Sequence, residues 1–370
     1  MSNMIGSAGV EVIKKKVYAV LSAIICAAAL SGCSLFDLSE EPANVYIPAG
    51  TDTPRPTVSS STVKDENQYD GFLKPSTSSS ESSSSTSNPT VTTIPEETML
   101  SVSESELRNK WYYFHISDKC QAVYRRLYNC VLNEGEGCDV SDLNVTYQEV
   151  YEAFWAFDYE NPQFLQLGNG YELTMIDPKI SNKVKSIKIS YSRLPSEAMQ
   201  TEFETRAEPV LEAARALDSD YERLKYVHDW IVNNTVYTKS GAEYESEADG
   251  PVVYGQALCE GYSKAFMYFA QQLGYPCICS VGVANLEDHM WNMVKIGNKW
   301  YNVDVTWDDP VSPDGEQVLR HDYFLICDAE LRLDHRVERP NMLPTSDYGY
   351  FPHGYDQDAT IDNGQVTIEN

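Results

Sequence analysis

The dipeptide Gly297-Asn298 lies between two runs rich in strand formers, 281–296 and 299–307, and is a signal for a two-residue hairpin turn. Such a turn fixes strand register. Ile296 meets Lys299, and counting outward His289 meets Thr306 and Asp304 meets Trp291. Directly paired residues share a face, so His289 and Asp304 become diagonal neighbours, about 7 Å apart at the backbone and close enough for an imidazole to reach a carboxylate. The opposite face carries Met290, Val294, Ile296, Tyr301, Val303 and Val305, a suitable core face. A three-residue loop would place His289 and Asp304 on opposite faces.

Upstream, Tyr262, Ala265, Phe266, Phe269, Ala270 and Leu273 recur at helical spacing, and Gly274 ends the pattern. Cys259 is therefore expected at the N-terminus of a roughly four-turn helix. The positive end of the helix dipole stabilises a thiolate there, the nucleophilic form of the side chain. Gly261 permits another backbone or a substrate to approach closely.

A thiol, an imidazole and a carboxylate in this arrangement are the parts of a cysteine nucleophile, its base and the group that orients the base. His289 would accept the proton of Cys259 or form an ion pair with it, and Asp304 would hold the ring. The thiolate would attack an amide carbonyl to give a thioester, which an amine or water releases. The backbone N–H of Cys259 is an expected oxyanion donor, and Gln256 is a candidate second donor. Trp291 and Trp300 fall on the face of His289 and are expected to wall the cleft. His228 shares a helix face with Tyr221, Leu224 and Ile231 and reads as core. His321, His335 and His353 lack metal-ligand spacing, so no metal or other cofactor is expected.

The motifs Cys259-x-Gly261-Tyr262, His289-x-Trp291-Asn292 and Trp300-Tyr301-x-Val303-Asp304-x-Thr306-Trp307-Asp308-Asp309-Pro310 resemble the transglutaminase-like superfamily, whose core is related to papain-type cysteine proteases. The resemblance extends upstream through Tyr226 to Tyr237 and downstream through His321 to Leu325 and His335, about residues 218 to 336. It implies an α+β fold with a nucleophile helix packed on an antiparallel sheet. It also carries the family's catalytic triad onto Cys259, His289 and Asp304. The segment before Cys259 departs from the family's oxyanion pattern. No acidic cluster has calcium-loop spacing.

Ahead of this region, Lys14-Lys15-Lys16 and the apolar run 17–30 form a leader too short for an ordinary membrane span. Leu30-Ser31-Gly32-Cys33 resembles a bacterial lipobox, which implies removal of residues 1–32 and lipidation of Cys33. Residues 33–100, rich in serine, threonine and proline, are expected to be a disordered tether. The protein would then be held by lipid at the bacterial membrane, facing the extracytoplasmic side. A lobe of helices and strands is expected over 101–217, a catalytic domain over 218–336 and a C-terminal extension over 337–370. Within the lobe, residues 103–132 and 146–157 read as helices and 171–175 and 184–192 as strands. Residues 195–217 read as a long helix, and Ser219 with Glu222 as a capping box for the next.

A formal charge of −27 excludes nucleic acid as an expected partner, since phosphate binding needs basic surface. The expected partners are a protein or peptide substrate at the cell envelope and the membrane itself, with the soluble part a monomer. Cys130 and Cys138 flank a glycine-bearing turn and could be bridged. Hydrolysis of amide bonds and acyl transfer from glutamine to an amine share the thioester step and stay open. The alternative class is a catalytically silent binding or scaffold module at the cell surface.

Overall fold

The computed structural model describes residues 100–177, 181–310 and 317–350, together with the backbone of 357–362 and 365–369. The leader, Cys33, nearly all of the tether, and His353 lie outside the described residues.

The first lobe begins with helices α1 (Glu104–Leu107), α2 (Trp111–His115) and α3 (Asp118–Leu132). The single helix expected here is broken twice. Ser103 and Ser117 each accept an N–H from the turn that follows, which starts a new helix at each serine. Between them Lys110 is extended and buried, its Nζ donating to the Glu160 carbonyl at 2.5 Å. Strand β1 (Gly137–Asp139) is followed by α4 (Tyr147–Asp158), which opens with a Thr146–Glu149 capping box. Strands β2 (Leu167–Met175) and β3 (Val184–Tyr191) complete an antiparallel sheet in the order β1-β3-β2. Cys130 and Cys138 are free thiols rather than a bridge, and Cys130 Sγ is turned to the Gly135 carbonyl at 3.3 Å.

Helices α5 (Glu197–Arg215) and α6 (Asp220–Asn234) pack together, the second capped by Ser219 and Glu222 as expected. The short parallel pair β4 (Val236–Tyr237) and β5 (Gln256–Ala257) leads into α7 (Cys259–Gln272). Helix α7 is buried on nearly every side, so its apolar residues go round the whole helix and not along one stripe. It packs on a five-stranded antiparallel sheet of β6 (Cys277–Ala284), β7 (Glu287–Ile296), β8 (Lys299–Val303), β9 (Phe324–Ile326) and, after α8 (Asp328–Leu331), β10 (His335–Val337). The strand order is β10-β6-β7-β8-β9. Strands β11 (Tyr348–Gly349), β12 (Gln357–Asp362) and β13 (Gln365–Glu369) form a last antiparallel sheet. The fold is α+β, with helix α7 on an antiparallel sheet and a mainly helical lobe before it, as the sequence implies.

The β7–β8 hairpin has the expected register, from Ile296 opposite Lys299 out to Asn292 opposite Val303. Two features differ from expectation. Residues 281–296 are two strands, because Asn285 and Leu286 both adopt positive φ and turn the chain between β6 and β7. Pairing also stops at Val303, so Asp304 lies just beyond the strand. The sheet is buried on both faces. Helix α7 covers one, and a smaller cluster of Trp291, Tyr323, Ile326 and Leu331 forms on the other.

Candidate active site

Cys259 is the first residue of α7, after an extended Leu258 that lacks a side-chain cap. The helix end thus presents free backbone N–H groups beside the thiol. Four contacts set the position of this end. Gly261 lies against the Glu245 carbonyl, which a Cβ would approach to 2.4 Å, so only glycine lets the helix close on that segment. Ser263 Oγ donates to the Met290 carbonyl at 3.0 Å, and Asn292 Nδ2 donates to the Ser263 carbonyl at 3.0 Å. These bonds register α7 against β7 on either side of Trp291. Tyr262 Oη donates to Asp309 Oδ2 at 2.6 Å and ties the helix to the turn beyond β8. Asn292, Tyr262 and Asp309 of the sequence motifs are therefore the fasteners between the helix and the sheet.

His289 projects from β7 opposite Gly282. Its Nε2 lies 2.7 Å from Asp304 Oδ2, and Cys259 is close enough to act on its ring and favour the charged form. With Nε2 engaged by the carboxylate, Nδ1 is the nitrogen left for the thiol. Asp304 Oδ1 accepts the N–H groups of Thr306 and Trp307, both at 3.1 Å. Those bonds explain the end of β8, because the carboxylate captures amides that would otherwise continue the ladder. The turn closes with Asp308 N–H on the Asp304 carbonyl at 3.2 Å.

Burial favours the neutral His289 ring, but the Asp304 charge, its hydrogen bond and the contact with Cys259 outweigh it, and the imidazole is pushed up to about 10. Burial likewise works against the Asp304 carboxylate, yet His289 and His335 hold it well below the usual range. Cys259 is 7 % exposed, His289 6 % and Asp304 1 %, so the three side chains are almost closed off from solvent. Burial first, then the charge of Cys259, raises the hydroxyl of half-buried Tyr237.

The other expected site residues are placed differently. Gln256 is exposed on β5, and its side-chain carbonyl accepts from Tyr244 Oη at 3.0 Å. Trp291 is fully buried behind His289, and Trp300 is buried edge-on to Trp111 with ring centroids 5.2 Å apart. Neither tryptophan walls an open cleft, because the sheet has a covered second face that a one-core reading of the hairpin leaves out. Trp307 is instead the ring beside the site, 6.0 Å from the His289 centroid and 4.5 Å from that of His335. His335 Nε2 lies 3.0 Å from Asp304 Oδ2. The sequence assigned it only to a closing strand, and its single local signal is the adjoining Asp334.

Among the described residues, two groups bring metal-ligating atoms together, His289-Asp304-His335 and His228-Asp229-His321. In both, the ring nitrogens that face the group already meet carboxylates, and Lys225 also pairs with Asp229. His228 is fully buried, as expected, with Nε2 on Asp308 at 3.1 Å. Beneath α7, buried Lys264 lies 3.0 Å from Glu247 and 3.4 Å from Asp158. Those two carboxylates keep its ammonium charged against burial.

A helix that opens on Cys259 is thus set against a β-hairpin histidine and the carboxylate after it. Residues 209–305 match the family model of the transglutaminase-like superfamily. Among solved structures the chain is similar to one described as a TGase, at 17% identity and a TM-score of 0.28, covering 40% of this chain and 47% of that one. It is also similar to a candidate cysteine protease from Cytophaga hutchinsonii, at 14% identity and a TM-score of 0.25, covering 38% of this chain and 58% of that one. The periplasmic domain of TgpA from Pseudomonas aeruginosa is similar at 14% identity and a TM-score of 0.24, covering 34% of this chain and 55% of that one. The chain thus spans about half the length of these structures. No curated protein matches it.

Proposed function

We propose that the protein is a membrane-tethered cysteine enzyme of transglutaminase type, acting on peptide or glutamine amide bonds through a thioester. The observation that carries this reading is the His289–Asp304 pair at 2.7 Å, with Cys259, at the start of a helix, among the groups that act on the His289 ring. Cys259 gives its proton to His289, and the thiolate adds to the amide carbonyl. The oxyanion forms beside the Cys259 N–H, and the side-chain nitrogen of Gln256, whose oxygen is taken by Tyr244, is the candidate second donor. As the C–N bond breaks, His289 returns the proton to the departing amine, leaving a thioester. Water or a second amine then loses a proton to His289, adds to the thioester and releases the thiolate. Throughout, Asp304 holds the ring and balances the imidazolium. In the same reading, lipid on Cys33 holds the enzyme at the extracytoplasmic membrane surface. Replacing Cys33 with serine should then release the protein from the membrane fraction.

A second reading, a silent binding or scaffold module, is favoured by the near-complete burial of Cys259. Iodoacetamide labelling followed by peptide mass mapping separates the two. The enzyme reading expects Cys259 to label faster than Cys120, Cys130, Cys138, Cys277, Cys279 and Cys327, and to slow on His289→Ala. A Cys259 that is inert, or indifferent to that substitution, supports the scaffold.

A further inference from the structure

The carboxylate of Asp304 is held by a second histidine that the catalytic scheme does not use. His335 lies on β10, opposite Ala284 of β6, while His289 on β7 lies opposite Gly282 of the same strand. Paired residues share a face, so both rings stand on one side of β6 and reach toward each other across two of its smallest residues. Gly282 is required there, since a Cβ would lie 2.1 Å from the Arg336 carbonyl and 3.0 Å from the Trp291 ring. The two imidazole centroids are 5.6 Å apart, and both rings converge on Asp304 Oδ2, His289 at 2.7 Å and His335 at 3.0 Å.

The other nitrogen of His335 settles its protonation state. Nδ1 lies 2.7 Å from Asp334 Oδ1, and Asp334 Oδ2 accepts from Tyr323 Oη at 2.6 Å. An ionised carboxylate only accepts, so each ring nitrogen must bring its own proton. A neutral ring would turn a lone pair toward one of two carboxylates. The His335 side chain is fully buried and that of Asp334 is 2 % exposed, so no bulk water relieves such a clash. The rings of Trp307, Trp291 and Tyr323 enclose the imidazole, and among the described residues Tyr323 and His289 are the further ionisable groups whose rings face it.

We propose that His335 is a positioning residue of this site, an imidazolium clamped between Asp334 and Asp304 that fixes the carboxylate. The proposal rests on Cys259, His289 and Asp304 being the working set. With two backbone amides on Oδ1 and two imidazoles on Oδ2, Asp304 has no freedom to rotate away from His289. The chain of contacts runs Cys259, His289, Asp304, His335, Asp334 and Tyr323, which links the helix end to the sheet edge at β10.

The test is the alkylation rate of Cys259 against pH, with thermal melts as control, in the parent, His335→Gln, His335→Leu, His289→Ala and the double variant His289→Ala/His335→Gln. His335→Gln, which keeps a donor without the charge, is expected to slow alkylation several-fold. His335→Leu should slow it about tenfold or more, as a lost hydrogen bond to a charged group implies. In the His289→Ala background the second substitution should change nothing. An equal slowing in both backgrounds overturns the positioning role. Indifference to His289→Ala instead overturns the underlying catalytic reading, which keeps the two failures distinct. A ¹⁵N-histidine spectrum of the unsubstituted protein tests the charge without any variant. His335, identified by its contacts with Trp307 and Tyr323, should be doubly protonated at neutral pH, and a neutral ring overturns the proposal.

Discussion

At the scale of single residues, the behaviour of the site turns on one carboxylate with four donors. Asp304 anchors His289, and the two groups shift in opposite directions. The folded His289 ring, pushed up to about 10, lies above its ordinary value near 6.5. Its stabilising contribution is therefore complete below about 6.5 and is lost as pH rises through about 10. Asp304 is depressed, so its contribution is present above the ordinary aspartate range and is lost as pH falls through its lowered value. Raising pH from neutral to about 10 should then lower the melting temperature of the parent more than that of His289→Gln, and a parallel decline in the two proteins would refute the pair. Asp304→Asn should slow Cys259 alkylation less than His289→Ala does, since the aspartate orients the ring and does not take the proton. Beneath the helix, Lys264→Met should destabilise by about 3–5 kcal/mol in chemical denaturation, because Asp158 and Glu247 would be left as unpaired buried carboxylates.

At the scale of elements, the strongest constraints are backbone approaches and turns. Gly261→Ala should destabilise by about 1–3 kcal/mol, because the added methyl meets the Glu245 carbonyl and α7 must move off that segment. Leu286→Gly should act in the other direction. Leu286 is 96 % exposed, so almost no burial is lost, and its positive φ is strained for a leucine. A gain of about 1 kcal/mol is expected, and a loss would show that the side chain does more than turn the chain. These two sites also mark what the sequence discloses. The Gly297-Asn298 turn is a local signal, and it gave the register that brings His289 near Asp304. The turn at Asn285-Leu286 has a weak signature, since leucine rarely accepts positive φ, so β6 and β7 read as one strand. The end of β8 depends on a side chain taking two amides, which hydropathy does not encode. The part of His335 arises only when β10 docks on β6, a pairing between distant segments.

At the scale of the whole molecule, the lobe over 101–217 and the region after it share one core. A single apolar cluster runs from Val102 through α3, α4 and α7 to Leu325. Polar bonds cross the same boundary. Cys279 N–H, on β6, donates to the Tyr159 carbonyl at 2.9 Å, and Tyr112 Oη donates to the Cys279 carbonyl at 2.7 Å. Gln271 on α7 donates to the Glu160 carbonyl at 3.1 Å, and Glu160 itself accepts the N–H groups of Tyr112 and Tyr113. Removing the lobe would expose the lobe-facing apolar surface of α7 and leave β6 with polar groups that lose their partners. A chain of residues 218–370 should therefore fail to fold cooperatively, whereas one of residues 98–370 should fold and be monomeric. The latter start is supported by Asn133, whose side chain accepts the Leu100 N–H at 2.9 Å and donates to the Leu100 carbonyl at 2.8 Å, and by Asn129 on the Val102 N–H at 2.8 Å. Circular dichroism melts and sedimentation of the two chains decide the matter. A cooperative transition in residues 218–370 would show that the lobe is an attachment, free to serve recognition. Its absence would make the lobe part of what holds β6, and through Gly282 and Ala284 the two histidines on Asp304, in place.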